Sequence, residues 1–248
     1  MLNITLIRLK PQEEKLNAEE QAGFRAGRST TEQIFNLRMI CEKYLQHQQD
    51  LYHVFMVFKK AFDRVWHAAL WATMKKYNIS AKLIRVIKDL YDKAITAVLF
   101  NSRVGVRQGC LLSPALFNIF LERITTDALK DHEGTVSIGD RTITNLRLAD
   151  DIDGLAGEEG KLAKLAERLD KASRDYSMET SADKTKLMTN NASGINTEIK
   201  VNGQKLETVT SSKYLGSVIT DEGSKPEILS RTAQKNSSTD KVETSLDW

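Results

Sequence analysis

The sequence predicts an α+β fold, an antiparallel sheet with helices packed on it. Stretches with helical apolar spacing are interleaved with short strand-like stretches and turns, without a strict strand–helix–strand repeat. The segment 51–58 is nearly all apolar and rich in β-branched and aromatic residues, as expected for a strand buried on both faces. Apolar residues make up 41% of the 248 residues, so the chain can bury a sizeable core.

Five stretches have the apolar spacing of amphipathic helices. The first follows N-cap candidates at 29–31 and carries an apolar stripe from Ile34 to Leu45. The fourth begins at Pro114, and proline is well suited to the first turn of a helix. The helices are expected within 19–50, at 60–77, at 80–92, from Pro114 to 129 and at 158–176.

The remaining patterns predict strands and turns. The stretch 134–156 should contain three strands, joined by a Gly-Asp turn and an acidic turn. A hairpin is predicted at 198–210, where Asn202 and Gly203 have the composition of a type I′ turn. Single strands are predicted at 97–101 and 213–220.

Composition excludes several classes of protein. The formal net charge of +3 and the pI of about 8.7 permit a polyanionic partner without requiring one. Cys41 and Cys110 have no paired spacing, which disfavours a disulfide scaffold or a zinc site. No apolar run approaches the ~18 residues that span a membrane, and the N-terminus lacks the features of a signal peptide. We therefore expect an intracellular protein, nuclear or cytoplasmic, and leave the oligomeric state open.

The adjacent carboxylates of Asp150 and Asp151 are the sharpest chemical feature. They lie between two apolar strand-like runs, which predicts a tight turn at the tip of a hairpin. Adjacent buried carboxylates repel each other, and this is costly unless a cation neutralises them. Magnesium prefers hard oxygen ligands, and two carboxylates with substrate phosphates satisfy it. For the pair alone, an exposed acidic turn without a ligand is the alternative, because Asp is common in turns.

Six motif-like segments follow one another between about residue 19 and residue 230. They are GFRAGRSTTEQI at 23–34, FKKAFDRVWH at 58–67, GVRQGCLLSPALFNIF at 105–120, LADDI at 148–152, KTKLM at 184–188 and KYLGSVI at 213–219. This ordered set resembles the successive motifs of the reverse transcriptases of non-LTR (LINE-like) retrotransposons. The resemblance implies a right-hand polymerase palm with partial fingers and a truncated thumb. It also implies RNA-directed DNA synthesis with an RNA template, a DNA primer and dNTPs.

The resemblance further implies a division of the chain. Residues 1–50 would be a partial fingers segment, 51–230 the palm with a primer-grip hairpin, and 231–248 a disordered tail. The chain begins after the N-terminal fingers of this family and ends in polar residues where a thumb helix should follow. It is therefore expected to be a truncated copy or a gene fragment, without an endonuclease region.

Roles can be carried over to individual positions from the same resemblance. Asp150 and Asp151 correspond to palm carboxylates that hold two Mg²⁺ ions for nucleotidyl transfer. Phe62 corresponds to the bulky gate that excludes a 2′-hydroxyl, and without the resemblance it would be read as a core aromatic. The other implied positions are the loop under the nucleotide (Gln108, Gly109), phosphate contacts (Arg25, Arg28), the lysine near the leaving pyrophosphate (Lys184, alternatively Lys186) and the primer grip (Tyr214, Leu215, Gly216). For the two arginines, ordinary solvated charge is an equal alternative.

One implied metal ligand is missing. The family pattern D-F-x-K-A-F-D places its aspartate five residues before Phe62, where this chain has Val57. Valine suits a buried strand but cannot bind a metal ion. Asp63 and Asp153 are not placed to substitute by sequence. Catalysis is therefore expected to be impaired.

Two alternatives remain open beside an impaired polymerase. The chain could be a non-catalytic nucleic-acid-binding remnant of a decayed element, which keeps basic contacts to the template. It could also be an unselected product that folds poorly and has no activity. Primer extension separates the first reading from the others, and salt-dependent binding to a primer–template duplex separates the two alternatives.

Overall fold

The computed structural model describes residues 2–98, 105–106 and 109–223. Its helices, named α1 to α6 in chain order, span Leu2–Leu16, Thr30–Gln46, His67–Lys76, Ala81–Val98, Ser113–Leu129 and Glu159–Asp175. The predicted cap is confirmed at the start of α2, where the Ser29 side chain accepts a hydrogen bond from the Glu32 amide at 3.1 Å.

The strands form one central sheet and three separate hairpins. Strands β1 to β11 span Tyr52–Met56, Val136–Ile138, Arg141–Ile143, Asn145–Leu148, Asp151–Ala156, Lys186–Thr189, Lys200–Val201, Gln204–Lys205, Glu207–Thr208, Ser211–Tyr214 and Ser217–Thr220. The sheet has the order β4-β5-β1-β6-β9, and its pairs are antiparallel except for β6 with β9. The hairpins are β2–β3, β7–β8 and β10–β11. This arrangement confirms the predicted α+β class.

Strand β1 is buried on both faces, as the run at 51–58 predicts. Because side chains alternate along a strand, Val54 and Met56 enter the main core, to which the helices α3 to α6 contribute. Phe55 points to the opposite face and enters a second core, formed with α2 and the β10–β11 hairpin. The central strand is thus fixed between two apolar layers, and its C-terminal end at residue 57 leads towards the acidic turn.

The predicted helix at 60–77 is wrong in its first part. A 3₁₀ turn occupies Ala61–Arg64, and α3 begins only at His67. Lys60 has a left-handed φ of 49°, and Val65 is not helical. Tertiary hydrogen bonds account for the break, because the Phe62 and Val65 carbonyls accept from the Val106 and Gly105 amides at 2.8 Å each.

Two single-strand predictions are also corrected. Residues 97 and 98 belong to α4, while 99–101 lie outside the described residues. An established helix gains one hydrogen bond per added residue, which outweighs the strand preference of a short apolar run. The stretch 213–220 is not one strand, because the segment 211–220 folds into the β10–β11 hairpin around Leu215 and Gly216.

The predicted hairpin turn at Asn202 and Gly203 is confirmed. Both residues have positive φ, 51° and 75°, as a type I′ turn requires. The predicted disordered tail at 231–248 lies outside the described residues.

Helix α1 was not predicted. The positions that it buries are Thr5, Leu9 and Glu13, and only one of them is apolar, so no apolar stripe marks the helix. None of the helices in the described part of the chain is long and apolar enough to cross a membrane.

Candidate active site

Asp150 and Asp151 lie at the tip of the β4–β5 hairpin, as predicted. Leu148 pairs with Asp151, so Ala149 and Asp150 alone form the turn. Ala149 has a φ of 55°, a left-handed conformation that is uncommon for a residue with a side chain. The carboxylate of Asp150 therefore belongs to the turn, and that of Asp151 to the first residue of β5.

Both carboxylates are half-buried, and their pKa values are perturbed. Burial raises the pKa of Asp150. Burial also raises the pKa of Asp151, and the neighbouring charge of Asp150 raises it further. The doublet is thus least stable when both groups are ionised and no cation is near. A divalent cation would remove this penalty.

Val57 directly follows β1, the strand that pairs with β5. The register between β1 and β5 pairs Met56 with Ile152, so the next residue on one side is Val57 and the preceding residue on the other is Asp151. Opposed residues of antiparallel strands have Cβ atoms roughly 5 Å apart and point to the same face. The Val57 amide donates to Thr185 Oγ1 at 3.3 Å, and its carbonyl accepts from the Ser181 amide at 2.8 Å. Continuing this register by one residue brings Val57, with its apolar side chain, opposite Asp151.

No other carboxylate takes this position among the described residues. Asp63 is exposed in the 3₁₀ turn, beyond the end of β1. Asp153 is fully buried, two residues further along β5, and its carboxylate lies 3.1 Å from His53 Nδ1. Within the described ranges, no three His, Cys, Asp or Glu side chains are grouped as a metal site.

His53 and Asp153 form a separate ion pair inside the second core. Burial lowers the pKa of His53, but Asp153 and the thiol of Cys41 raise it, and the net result is a pKa of about 10. Burial raises the pKa of Asp153, and His53 opposes this. The raised pKa of His53 favours an imidazolium at this position, and the carboxylate of Asp153 is engaged with it.

Phe62 forms an aromatic cluster near the start of α3. Its ring stacks on Phe117 of α5, with ring centroids 4.3 Å apart and an interplanar angle of 13°. Phe24 meets it edge-on at 6.1 Å and is itself 48% exposed. These contacts fix the half-buried Phe62 ring from two sides. The sequence did not single out Phe24, although it follows Gly23 in the first motif-like segment.

The predicted nucleotide loop is only partly described. Gln108 lies outside the described residues. Gly109 is exposed, with a φ of 77°, and nothing lies within 4 Å of where a Cβ would be. Gly105 packs against Asp63, so the loop starts next to the Phe62 turn.

The two predicted arginines differ in their surroundings. The side chain of Arg25 is only 7% exposed, and it forms an ion pair with Glu14. It also donates to the Ala18 and Gln21 carbonyls at 2.8 and 2.9 Å. Arg28 is more exposed and pairs with two glutamates, Glu19 and Glu32. Arg25 thus organises the loop before α2, whereas Arg28 is partly exposed.

The predicted lysines also differ. Lys184 is exposed in the turn that precedes β6. Lys186, the alternative, lies in β6, and its ammonium group is 2.6 Å from Glu207 Oε2. Of these two lysines, Lys184 is the better placed to contact an added anion, because in the described part of the chain it has no carboxylate partner such as Glu207 is for Lys186.

The β10–β11 hairpin packs on the sheet face that carries the doublet. Its tip is Leu215-Gly216, both with positive φ, 51° and 86°. Tyr214 is buried against Phe55, and its hydroxyl donates to the Leu146 carbonyl at 3.4 Å. Burial raises the pKa of Tyr214, and the charges of Asp153 and Asp151 raise it further. The hairpin thus approaches the acidic turn, and its tip is free of strand pairing.

Comparison with protein families gives one match over most of the chain. Residues 1–219 match the family described as reverse transcriptase (RNA-dependent DNA polymerase).

Individual relatives are polymerases of mobile elements. The chain is 34% identical over 116 residues to a probable RNA-directed DNA polymerase from transposon BS of Drosophila melanogaster, covering 44% of the chain and 13% of the relative. It is 25% identical over 214 residues to the RNA-directed DNA polymerase from mobile element jockey of the same species, covering 79% of the chain and 22% of the relative. The chain therefore spans less than a quarter of the length of either relative.

Solved structures with a similar fold include two fungal telomerases. Apo telomerase from Candida tropicalis aligns with a TM-score of 0.62 at 16% identity, over 89% of this chain and 40% of that one. Telomerase from Candida albicans, in complex with a fragment of telomeric RNA, aligns with a TM-score of 0.62 at 14% identity, over 90% and 37%. At such identities the likeness concerns the fold alone, and it confirms the predicted polymerase palm.

Proposed function

The chain belongs to the reverse transcriptase (RNA-dependent DNA polymerase) family, as a domain of the retrotransposon type, and on that premise we propose that its catalytic centre is impaired at residue 57. The observation that carries this proposal is the register of β1 with β5, which, continued one residue past the pair of Met56 and Ile152, brings Val57 opposite Asp151. The chemistry of the family needs oxygen ligands at this point, and valine has none.

The donor set fits a divalent ion in part. Asp150 and Asp151 are half-buried carboxylates with raised pKa values, and two such groups together with substrate phosphates can hold Mg²⁺. When bound, two such ions activate the primer 3′ hydroxyl and stabilise charge on the transferred phosphoryl group. The chain offers two carboxylates where a pair of ions requires a third, so we expect weakened binding.

The remaining roles are those that the family resemblance implies. Phe62, fixed by Phe117 and Phe24, would exclude a ribonucleotide 2′-hydroxyl. Lys184 would contact phosphates because it is exposed, and Arg28, which is partly exposed, would do so by exchanging a glutamate partner for a phosphate. The nucleotide-loop roles of Gln108 and Gly109 rest on the family resemblance. Arg25 donates its hydrogen bonds to backbone carbonyls of the protein, so its role would be structural.

The surrounding segments would bind the substrates. We assign residues 1–50 to the fingers side and 51–230 to the palm. The tip Tyr214–Gly216 would grip the DNA primer, since it lies next to the sheet face of the doublet. The substrates would be an RNA template, a DNA primer and dNTPs.

Primer extension tests the impairment. A single oxyanion donor is worth about 10²–10³ in rate, and a shared metal ligand should contribute at least as much. We expect Val57→Asp to extend a DNA primer on an RNA template at least ~100-fold faster than the unaltered chain. Asp151→Asn in the Val57→Asp background is the matched control, and it should abolish the gain. Equal rates for the unaltered chain and Val57→Asp would contradict the proposal.

A second function, non-catalytic binding of nucleic acid, is favoured by the same valine. The loss of a metal ligand leaves the exposed Lys184 and the hairpin tip intact. Binding through phosphates releases counterions, so the logarithm of the affinity should fall by about 0.9 per phosphate contact for each tenfold rise in salt. Fluorescence anisotropy with a primer–template duplex measures this slope. Absence of binding at low salt would eliminate this function.

A further inference from the structure

The turn that carries the aspartates is held by a side chain from a distant part of the chain. Gln21 is 1% exposed, and its amide reaches Ala149 across 128 residues of sequence. Its Oε1 accepts hydrogen bonds from the Ala149 amide at 2.9 Å and from the Gly23 amide at 2.7 Å. Its Nε2 donates to the Ala149 carbonyl at 3.3 Å. Both backbone polar groups of Ala149 are therefore bound by one side chain.

Ala149 needs such support because of its backbone conformation. Its φ of 55° is unfavourable for a residue with a Cβ, and such conformations persist only where the surroundings hold them. Asp150 is the next residue, so the torsions of Ala149 set the direction in which that carboxylate points. A change in the backbone torsions of Ala149 would therefore move the carboxylate of Asp150.

The segment that carries Gln21 is itself fixed. It runs beside β4 as a short parallel bridge between Gln21 and Arg147. Gly23 approaches the turn so closely that a Cβ there would overlap the amide nitrogen of Ala149. The Gly23 carbonyl accepts a hydrogen bond from Asn118 Nδ2 of α5 at 2.9 Å. These contacts fix the side-chain amide of Gln21 relative to the turn at Ala149.

We propose that Gln21 is a positioning residue, which holds the Ala149 turn in the conformation that directs the carboxylates of Asp150 and Asp151 towards a shared divalent ion. This role rests on the proposed function. Gln21 does not touch the reacting atoms, and it acts through the backbone on which the ligands are mounted. Outer contacts of this kind typically contribute 10–100-fold to metal affinity.

Gln33 provides a matched control. It is also a buried glutamine, 3% exposed, and its Nε2 donates to the Glu20 carbonyl at 2.7 Å and to the Arg147 carbonyl at 2.8 Å. It therefore binds the same pair of segments, but it makes no hydrogen bond to Ala149. A purely structural role would make the two glutamines equivalent.

The experiment compares Gln21→Met with Gln33→Met, each in the full chain with Val57→Asp. Mn²⁺ binding is followed by electron paramagnetic resonance, amide exchange at Ala149 by NMR, and stability by urea unfolding. We expect Gln21→Met to weaken Mn²⁺ binding about tenfold or more and to speed Ala149 exchange at least ~10-fold. Gln33→Met should stay within about twofold in Mn²⁺ affinity, at a comparable loss of stability.

The outcomes separate the two proposals. Equal Mn²⁺ affinity and equal Ala149 exchange in the two variants would overturn the role of Gln21. If the Val57→Asp parent binds no Mn²⁺, the proposed function fails, and Ala149 exchange alone then decides on Gln21. If Gln21→Met does not fold, Gln21→Asn replaces it, because its amide is one methylene shorter and is drawn away from Ala149. The same direction of change supports the role, and no change overturns it.

Discussion

The buried pair of His53 and Asp153 makes the stability of this domain depend on pH. The folded-state pKa of His53 is raised to about 10 from its ordinary 6.5, so the folded state binds a proton that the unfolded state releases first. The stabilisation is therefore fully present below pH 6.5 and is lost as the pH rises through about 10.

Removing one partner of the ion pair shows how much the pair contributes to the free energy of unfolding. Asp153 is fully buried and His53 is 2% exposed, so Asp153→Asn leaves an imidazolium without its counter-charge, or forces the imidazole to be neutral. Breaking a buried ion pair in this way costs about 3–5 kcal/mol. We expect Asp153→Asn to lower the free energy of unfolding by about that amount at pH 6 and by much less at pH 10.

Urea unfolding followed by circular dichroism at pH 6, 8 and 10 measures these values. Asp175→Asn is the control, because Asp175 is exposed in α6 and its surface pair with Lys171 should contribute at most about 1 kcal/mol. Replacing both His53 and Asp153 by leucine should recover most of the loss, since no buried charge then remains. An Asp153→Asn protein with unchanged stability and unchanged pH dependence would refute the assignment of His53 as an imidazolium.

Two further predictions concern the acidic turn and the gate. A Cβ on Gly23 overlaps the backbone of Ala149, so Gly23→Ala should lower the free energy of unfolding in urea by about 1–3 kcal/mol. The control is Gly160→Ala in α6, where a Cβ would have nothing within 4 Å, and it should be neutral or stabilise by up to about 1 kcal/mol. Equal effects of the two substitutions would contradict the close approach of Gly23 to Ala149. In the Val57→Asp background, Phe62→Val should raise the ratio of ribonucleotide to deoxyribonucleotide incorporation by about tenfold in single-nucleotide primer extension. The control is Phe35→Val, at a residue that is 60% exposed on α2, and it should leave the ratio unchanged. An unchanged ratio for Phe62→Val would exclude a role of Phe62 in rejecting the 2′-hydroxyl.

Much of the scaffold could be predicted from local pattern. The buried strand β1, the capped start of α2 and the Asn202-Gly203 turn each have a cause within a few residues of sequence. The aspartate hairpin was predicted for the same reason, because two apolar runs flank an acidic pair.

The features that could not be predicted are those that local apolar spacing does not encode. The break before α3 arises because carbonyls of the 3₁₀ region bind the amides of residues 105 and 106, which no local pattern reveals. Helix α1 was missed because its buried stripe is largely polar. Gln21 was missed because its partner lies 128 residues away and the contact is with backbone, which carries no sequence signal.

At Val57, the family resemblance and the structure contribute different information. Resemblance to the family marks residue 57 as a missing ligand, and the register of β1 with β5, continued one residue past Met56, brings it opposite Asp151. The carboxylate of Asp153, two residues further along β5, is held by His53, so we expect that it does not compensate. The impairment that we propose would thus be a local chemical change in a domain that keeps its buried core.

The central claim is that residue 57 is the place of the missing metal ligand. Anomalous diffraction from crystals of the unaltered chain and of Val57→Asp, each soaked with Mn²⁺ and a deoxynucleotide, tests it most directly. We expect strong Mn²⁺ density between Asp150, Asp151 and the new carboxylate in the variant, and weak or no density in the unaltered chain. Equal density in both, with another carboxylate such as Asp63 completing the site, would contradict it.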